Sequence, residues 1–122
     1  MSRICDALAN DIAIGMGTDS ALTYVTHYNT WREIDYLARL GGLGVARALH
    51  AATQGNARIL GLDQVTGAIE PGLAADLVLL NGNPVDDLRA FDQPHLVVVR
   101  GQLLESPQVT RFPEIDAHLD AF

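Results

Sequence analysis

The sequence predicts an α/β protein, which becomes a mixed α+β arrangement if the chain is taken as an isolated fragment. Three observations predict this class. The apolar run Ile12–Ile14 does not alternate, which is typical of a strand covered on both faces in a parallel sheet. Amphipathic helical segments follow it, and after residue 62 short apolar runs alternate with turns that contain Gly or Pro.

The first elements lead into a long loop. Ile4–Ala9 is predicted to be a helix, and the Asn-Asp pair at 10–11 a turn into the buried strand Ile12–Gly15. The segment Met16–Asn29 has no helical or strand period. Loops of that length in compact domains are usually functional or disordered.

The next helix has a clear start and a clear buried face. Thr30 is predicted to be its N-cap, and Glu33 to complete a capping box, with substrate contact as the less favoured role of Glu33. The helix is expected to reach Leu40 and to end at Gly41-Gly42. Its apolar positions recur at the helical period and predict this buried face: Trp31, Ile34, Leu37 and Ala38.

A second helical pair is predicted behind it. A helix over about Leu43–Ala52 should bury Leu43, Ala46 and Leu49. Gly55 is expected to separate it from a shorter helix, about Asn56–Leu60, which Gly61 closes. Thr53 and Asn56 are interpreted as cap residues, and His50 as a partly buried histidine beside the apolar face.

The C-terminal half predicts short elements. Two short strands, one helical turn, a hairpin about Arg100-Gly101 and a tail helix are expected. In order, they are Gly67–Ile69, a buried strand Asp76–Leu80, Asp86–Phe91, Leu96–Val99 with Gln102–Leu104, and Glu114–Ala121. The carboxylate of Asp76 is interpreted as structural, accepting backbone amides at the turn into its strand.

Composition excludes several classes. The net charge of −7 argues against a nucleic-acid partner, whose binding sites are basic. No apolar run approaches the ~20 residues that cross a bilayer, so no membrane partner is expected. The single cysteine, Cys5, excludes an intramolecular disulfide and suits a cytoplasmic protein. We expect its thiol to be buried and inert.

Asp19 is the first candidate for chemistry. It follows the predicted strand through the sequence Gly-Met-Gly-Thr-Asp, and catalytic groups of β/α barrels lie at the carboxyl ends of strands. A carboxylate there can ligate a metal or transfer a proton. Gly-Thr-Asp is also ordinary turn and helix-cap composition, so the residues alone leave both readings open.

Four segments together resemble the C-terminal part of the metal-dependent amidohydrolase superfamily, in its imidazolonepropionase-like and Xaa-Pro-dipeptidase-like branch. They occur in the family's order and spacing and cover about three quarters of the chain. They are Gly15–Ser20; His27–Glu33; Ala48–Thr53 with Asn56–Leu62; and Gly67–Leu80 with Asn83-Pro84.

The resemblance implies an architecture of which this chain holds only a part. Such enzymes contain a whole barrel of about 250 residues, whereas this chain has 122. It implies that residues 1–62 are the last strand and helices of a TIM-type barrel, that 63–105 are returning strands of a small β-sandwich, and that 106–122 are a polar tail. We interpret the chain as a fragment of a larger enzyme, expected to self-associate or to pair with a missing N-terminal portion.

The resemblance also assigns roles. It implies that Asp19 ligates a divalent metal, most often zinc, or accepts the proton of the attacking water, and that His27 lies in a loop that contacts substrate. A solvated loop histidine is the alternative for His27. The chain has no His-x-His pair and no lysine, and His50, His95 and His118 lack ligand spacing. We therefore expect no tight metal binding by this chain alone.

Three functions remain open at this point. The favoured one is the C-terminal part of a metal-dependent hydrolase of C–N bonds in an amide, cyclic amide or dipeptide, inactive alone. The others are a noncatalytic self-associating remnant and a small binding module that uses the Met16–Asn29 loop.

Overall fold

A computed structural model describes residues 2–105 and 108–121 as helices packed beside a small antiparallel sheet. Of the predicted tail 106–122, the residues Ser106, Pro107 and Phe122 lie outside the described ranges. The helices are α1 (Ser2–Ala9), α2 (Thr30–Arg39), α3 (Val45–His50), α4 (Asn56–Ile59) and α5 (Pro113–Leu119). The strands are β1 (Leu77–Leu79), β2 (Leu96–Val99) and β3 (Gln102–Glu105), and short 3-10 turns span His27–Asn29 and Leu88–Asp92.

The core lies between α2 and α3. All four residues of the predicted α2 face are buried, so this prediction is confirmed. Ala48 of α3 is fully buried against it, with Leu43, Ala51 and Leu88 at its edges. The predicted burial of Ala46 is wrong, since this residue is exposed. The helix begins at Val45 and turns Ala48 and Ala51 toward α2 instead.

The start of α2 differs from the predicted capping box. Thr30 has helical dihedral angles (φ −53°, ψ −32°) and lies inside the helix. Its hydroxyl donates to the backbone oxygen of His27 at 2.8 Å, because a 3-10 turn leads directly into α2. Glu33 is therefore not the partner of a capping threonine, whereas the predicted end at Gly41 is confirmed by its N–H donating to Tyr36.

The predicted interruption at Gly55 is wrong. A π-helical turn, Ala51–Gly55, joins α3 to α4 in one continuous helix, and Gly55 has helical angles (φ −61°, ψ −48°). Thr53 and Asn56 are consequently interior residues and not caps. Gly61 does close the helix, as predicted: it has φ 70°, and the next N–H, of Leu62, donates to Ala57 at 2.7 Å.

The buried parallel strand expected at Ile12–Gly15 is not formed. This segment belongs to no strand, and Ile12 is 60% exposed. A parallel strand needs at least one neighbouring strand to pair with, and within the described ranges no strand lies beside it. The mixed helix-and-sheet description is confirmed, but the sheet that the chain does form is antiparallel.

That sheet has the order β1-β2-β3, with Leu77 opposite Val98 and Val97 opposite Leu104. The predicted hairpin is confirmed, and both Arg100 (φ 49°) and Gly101 (φ 79°) are left-handed, as a two-residue hairpin turn requires. The strand predicted at Gly67–Ile69 is wrong, since those residues form a bend. The β1 strand is only partly buried, contrary to expectation.

The predicted burial of Cys5 is wrong, because this residue is exposed. Among the described residues, no helix is long and apolar enough to span a bilayer.

Asp76 holds the hairpin to the loop before β1, as its structural interpretation predicted. One carboxylate oxygen accepts from the backbone N–H of Arg100 at 2.8 Å, and the other accepts from the Thr66 hydroxyl at 2.9 Å. The hydrogen bond from the Arg100 amide, followed by that from Thr66, lowers the pKa of Asp76. A carboxylate stabilised in this way contributes to folding only while it is ionised.

We expect Asp76→Asn to lower the melting temperature at neutral pH, because an amide group accepts these bonds less strongly than a carboxylate does. The difference in melting temperature between the variant and the unmodified protein should shrink as the pH falls through the lowered pKa of Asp76. The carboxyl group is then protonated in the folded and in the unfolded state alike. Thermal unfolding followed by circular dichroism between neutral and acidic pH measures this. Glu70→Gln, at an exposed carboxyl in a neighbouring turn, is the matched control. A pH-independent difference would contradict the role given to the charge.

Candidate functional site

The candidate site is the turn that carries Asp19. The segment that begins at Ile12 leads into this turn. The hydroxyl oxygens of Thr18 and Ser20, on either side of Asp19, lie 2.6 Å apart in a hydrogen bond. The side chain of Asp19 is exposed. The turn therefore presents a carboxylate to solvent between two residues whose side chains are hydrogen-bonded to each other.

Backbone strain is concentrated in the same loop. Asp19 (φ 51°), Ala21 (φ 83°) and Tyr24 (φ 67°) are all left-handed within six residues. Each such residue costs on the order of 1–3 kcal/mol, and Ala and Tyr lack the local hydrogen bonds that ease this conformation for Asp. Strain of this kind persists where surrounding contacts impose it, and it clusters at binding and catalytic sites.

Asn56 attaches the segment before Asp19 to the long helix. Its side-chain oxygen accepts from the N–H of Met16 at 2.9 Å, and its side-chain nitrogen donates to the Met16 carbonyl at 2.8 Å. The amide thus supplies the paired bonds that a neighbouring strand would otherwise make. A Cβ on Gly15 would lie 2.5 Å from the same Asn56 oxygen, so only glycine allows this approach.

The four histidines are dispersed. His27 is exposed at the start of the 3-10 turn, and no described hydrogen bond or ion pair joins its ring to Asp19. His50 is exposed beside a cleft of about 650 Å³, so its predicted partial burial is wrong. His95 is exposed at the start of β2, and the ring of His118 lies 5.1 Å from that of Tyr24.

The donor set of the described chain does not fit a metal ion by itself. In residues 2–105 and 108–121, no group of three His, Cys, Asp or Glu side chains lies close enough to hold one. A catalytic zinc usually takes about three protein ligands. Asp19 can offer one carboxylate.

Glu33 lies close to this turn in the fold, although its place in the sequence predicts a capping role. It is partly buried and lines a cavity of about 100 Å³ together with Thr18, the residue before Asp19. Burial raises the pKa of Glu33. No local pattern predicts this, because the cavity joins residues from three separate segments.

The tail helix α5 packs on the same region. The side-chain nitrogen of Asn29 donates to Asp116 at 2.9 Å, and the guanidinium of Arg32 pairs with Asp120 at 2.7 Å. The ring contact of His118 with Tyr24 reaches the strained loop itself. Helix α5 therefore belongs to the surroundings of the loop that carries Asp19.

Comparison with known proteins gives one consistent relationship. The model of the amidohydrolase family matches residues 2–104. Ochratoxinase of Aspergillus niger is 28% identical over 107 residues, which are 84% of this chain and 22% of that protein. The chain thus spans about a fifth of the length of this curated relative.

Two solved structures share the fold. A candidate prolidase from Bifidobacterium longum is 47% identical with a TM-score of 0.93, over 97% of this chain and 29% of the other. A Xaa-Pro dipeptidase with methionine bound in its active site is 29% identical with a TM-score of 0.75, over 85% of this chain and 25% of the other.

Proposed function

The chain belongs to the amidohydrolase family, and from that membership we propose that it is the C-terminal part of a metal-dependent enzyme that hydrolyses C–N bonds. The observation that carries the proposal is the position of Asp19. Its exposed carboxylate stands on a strained turn that Asn56 holds in place. In this proposal residues 1–62 end a TIM-type barrel, 63–105 return to a small β-sandwich and 106–122 form the tail.

Dipeptides that end in proline are the substrate class we propose. The support is the likeness to a candidate prolidase at 47% identity and to a Xaa-Pro dipeptidase at 29% identity. His27, in the loop that follows Asp19, is proposed to contact the substrate. The enzyme is proposed to act in the cytoplasm.

Asp19 is proposed to move the proton of the reaction. A water oxygen bonds to the peptide carbonyl carbon, and its proton passes to the Asp19 carboxylate. The C–N bond then breaks, and Asp19 returns the proton to the departing proline nitrogen, so that it ends the cycle ionised. We further propose that Asp19 is one ligand of a divalent cation, zinc by preference, whose other ligands come from sequence outside this chain.

The direct test compares two proteins on L-alanyl-L-proline, with proline release as the readout. The full-length protein, meaning this chain with the coding sequence that precedes it, should cleave the dipeptide when supplied with zinc. The 122-residue chain alone should release no proline under the same conditions. Hydrolysis by the short chain, or none by the full-length protein against a panel of Xaa-Pro dipeptides, would remove the proposal.

Exposed apolar side chains favour a second candidate, self-association of the chain. Ile69 is 88% exposed and Leu60 is 69% exposed, on a cleft of about 770 Å³ between the long helix and the sheet. Apolar surface of this kind is usually covered by a partner or by more of the same protein. Sedimentation velocity on the 122-residue chain, together with the activity assay, distinguishes self-association from the hydrolase. If the 122-residue chain is a dimer and the full-length protein has no hydrolytic activity, self-association is favoured.

A further inference from the structure

The cavity beside Glu33 has the chemistry of a cation site. It lies between the Asp19 turn, α2 and the tail helix. Its volume of about 100 Å³ is a few times the volume that one water molecule occupies in the liquid. Six of the residues that line it carry the argument: Thr18, Tyr24, Arg32, Glu33, Tyr36 and, from the tail helix, Leu119. It can therefore hold a small group but not a whole peptide.

The carboxylate of Glu33 has no partner in the described part of the chain, since no hydrogen bond or ion pair reaches it there. Arg32 lines the same cavity, but its guanidinium is paired with other groups: it donates to Asp120 at 2.7 Å and to the Asn29 side-chain oxygen at 3.2 Å. It also lies 4.7 Å from the ring of Trp31. Burial raises the pKa of Glu33, and a positive charge bound beside the carboxylate would favour its ionised form.

The remaining lining groups suit a cation as well. Tyr24 and Tyr36 bring aromatic rings, whose faces attract ammonium groups within about 6 Å. Anions are disfavoured by the unpaired carboxylate. A single carboxylate is too few ligands for a tightly bound metal ion. An organic ammonium group fits better than either, because one charge pair and ring contacts satisfy it.

We infer that this cavity is a subsite for a primary ammonium group, placed there by Glu33 beside the Asp19 turn. The inference rests on the proposed function, in which the ammonium group is the free amino terminus of the dipeptide. Thr18 belongs both to the cavity and to the turn, so a group bound here lies next to the residue that directly precedes Asp19. Glu33 would then select dipeptides over N-blocked substrates.

The test compares L-alanyl-L-proline with N-acetyl-L-alanyl-L-proline in the full-length protein. Glu33→Gln keeps the side-chain volume and removes the charge, so KM for the free dipeptide should rise about tenfold or more while kcat changes little. The acetylated dipeptide, which has no ammonium group, should be cleaved equally by both proteins. Glu33→Asp, which keeps the charge, should recover part of the affinity, and Glu114→Gln on exposed α5 surface is the control.

Equal losses on both substrates, or no loss on either, would overturn the subsite. Binding of L-alaninamide by calorimetry gives a readout that does not depend on turnover: the unmodified protein should bind it, and Glu33→Gln should not. If neither peptide is cleaved but alaninamide binds through Glu33, the proposed function fails and the subsite stands. If alaninamide does not bind the unmodified protein, the subsite is wrong.

Discussion

Replacing Asp19 by asparagine in the full-length protein is expected to lower kcat for Xaa-Pro hydrolysis by about 10²–10⁴-fold, the usual effect of removing a general acid–base group. The amide cannot accept the proton of the attacking water. Folding should survive, because Asp19 is exposed and its left-handed backbone (φ 51°) is one that asparagine also adopts. The free energy of unfolding should therefore change by less than about 0.5 kcal/mol.

Initial rates of proline release and chemical denaturation of the same preparations measure the two halves of this prediction. Asp63→Asn, at a carboxyl in the turn after α4, is the matched control and should leave both unchanged. Turnover that is retained in Asp19→Asn would exclude Asp19 from the reaction. A matching loss of stability would instead assign it a structural role.

Replacing Asn56 by leucine is expected to have the second large effect, here on stability and activity together. The change leaves the N–H and carbonyl of Met16 without their partners at 2.9 and 2.8 Å. Each partly buried group that loses its partner costs about 1–3 kcal/mol, so for the two groups we expect a loss of about 2–6 kcal/mol in the free energy of unfolding. Since Met16 lies three residues before Asp19, kcat should fall as the turn becomes free to move.

A pair of glycine variants tests the same contact from the other side. Gly15→Ala should be destabilising, because its Cβ would lie 2.5 Å from the Asn56 oxygen and displace the amide. Gly17→Ala should preserve stability, since its Cβ meets nothing within 4 Å. Denaturant midpoints compare the two. If Asn56→Leu and Gly15→Ala are both as stable as the unmodified protein, the Asn56 contact does not hold the segment.

Predictions from local patterns succeeded where one element contains its own explanation. The buried face of α2 follows from apolar spacing within ten residues, the hairpin follows from two apolar runs about Arg100-Gly101, and the end of α4 follows from Gly61. The resemblance to the amidohydrolase family is likewise confirmed by the match over residues 2–104. In each case the physical cause of the feature lies in residues that are close together in the sequence.

Predictions failed where the state of a residue depends on contacts outside its own element. Ile12–Gly15 has the composition of a buried strand but, within the described ranges, no strand to pair with. Gly55 is a helix breaker by propensity, yet packing keeps it helical in the π turn. Thr30 caps nothing because a 3-10 turn already precedes α2.

By itself the sequence determined the family and the class of elements, both of which depend on short runs of residues. Only the tertiary structure decided that Asn56 would hold Met16 from 40 positions away, and that α5 would pack on Asn29 from 87 positions away. It alone placed Glu33 and Thr18 around one cavity. The reason is physical: a hydrogen bond or a shared cavity depends on distance in space, and local periodicity carries no information about which distant segments the core will bring together.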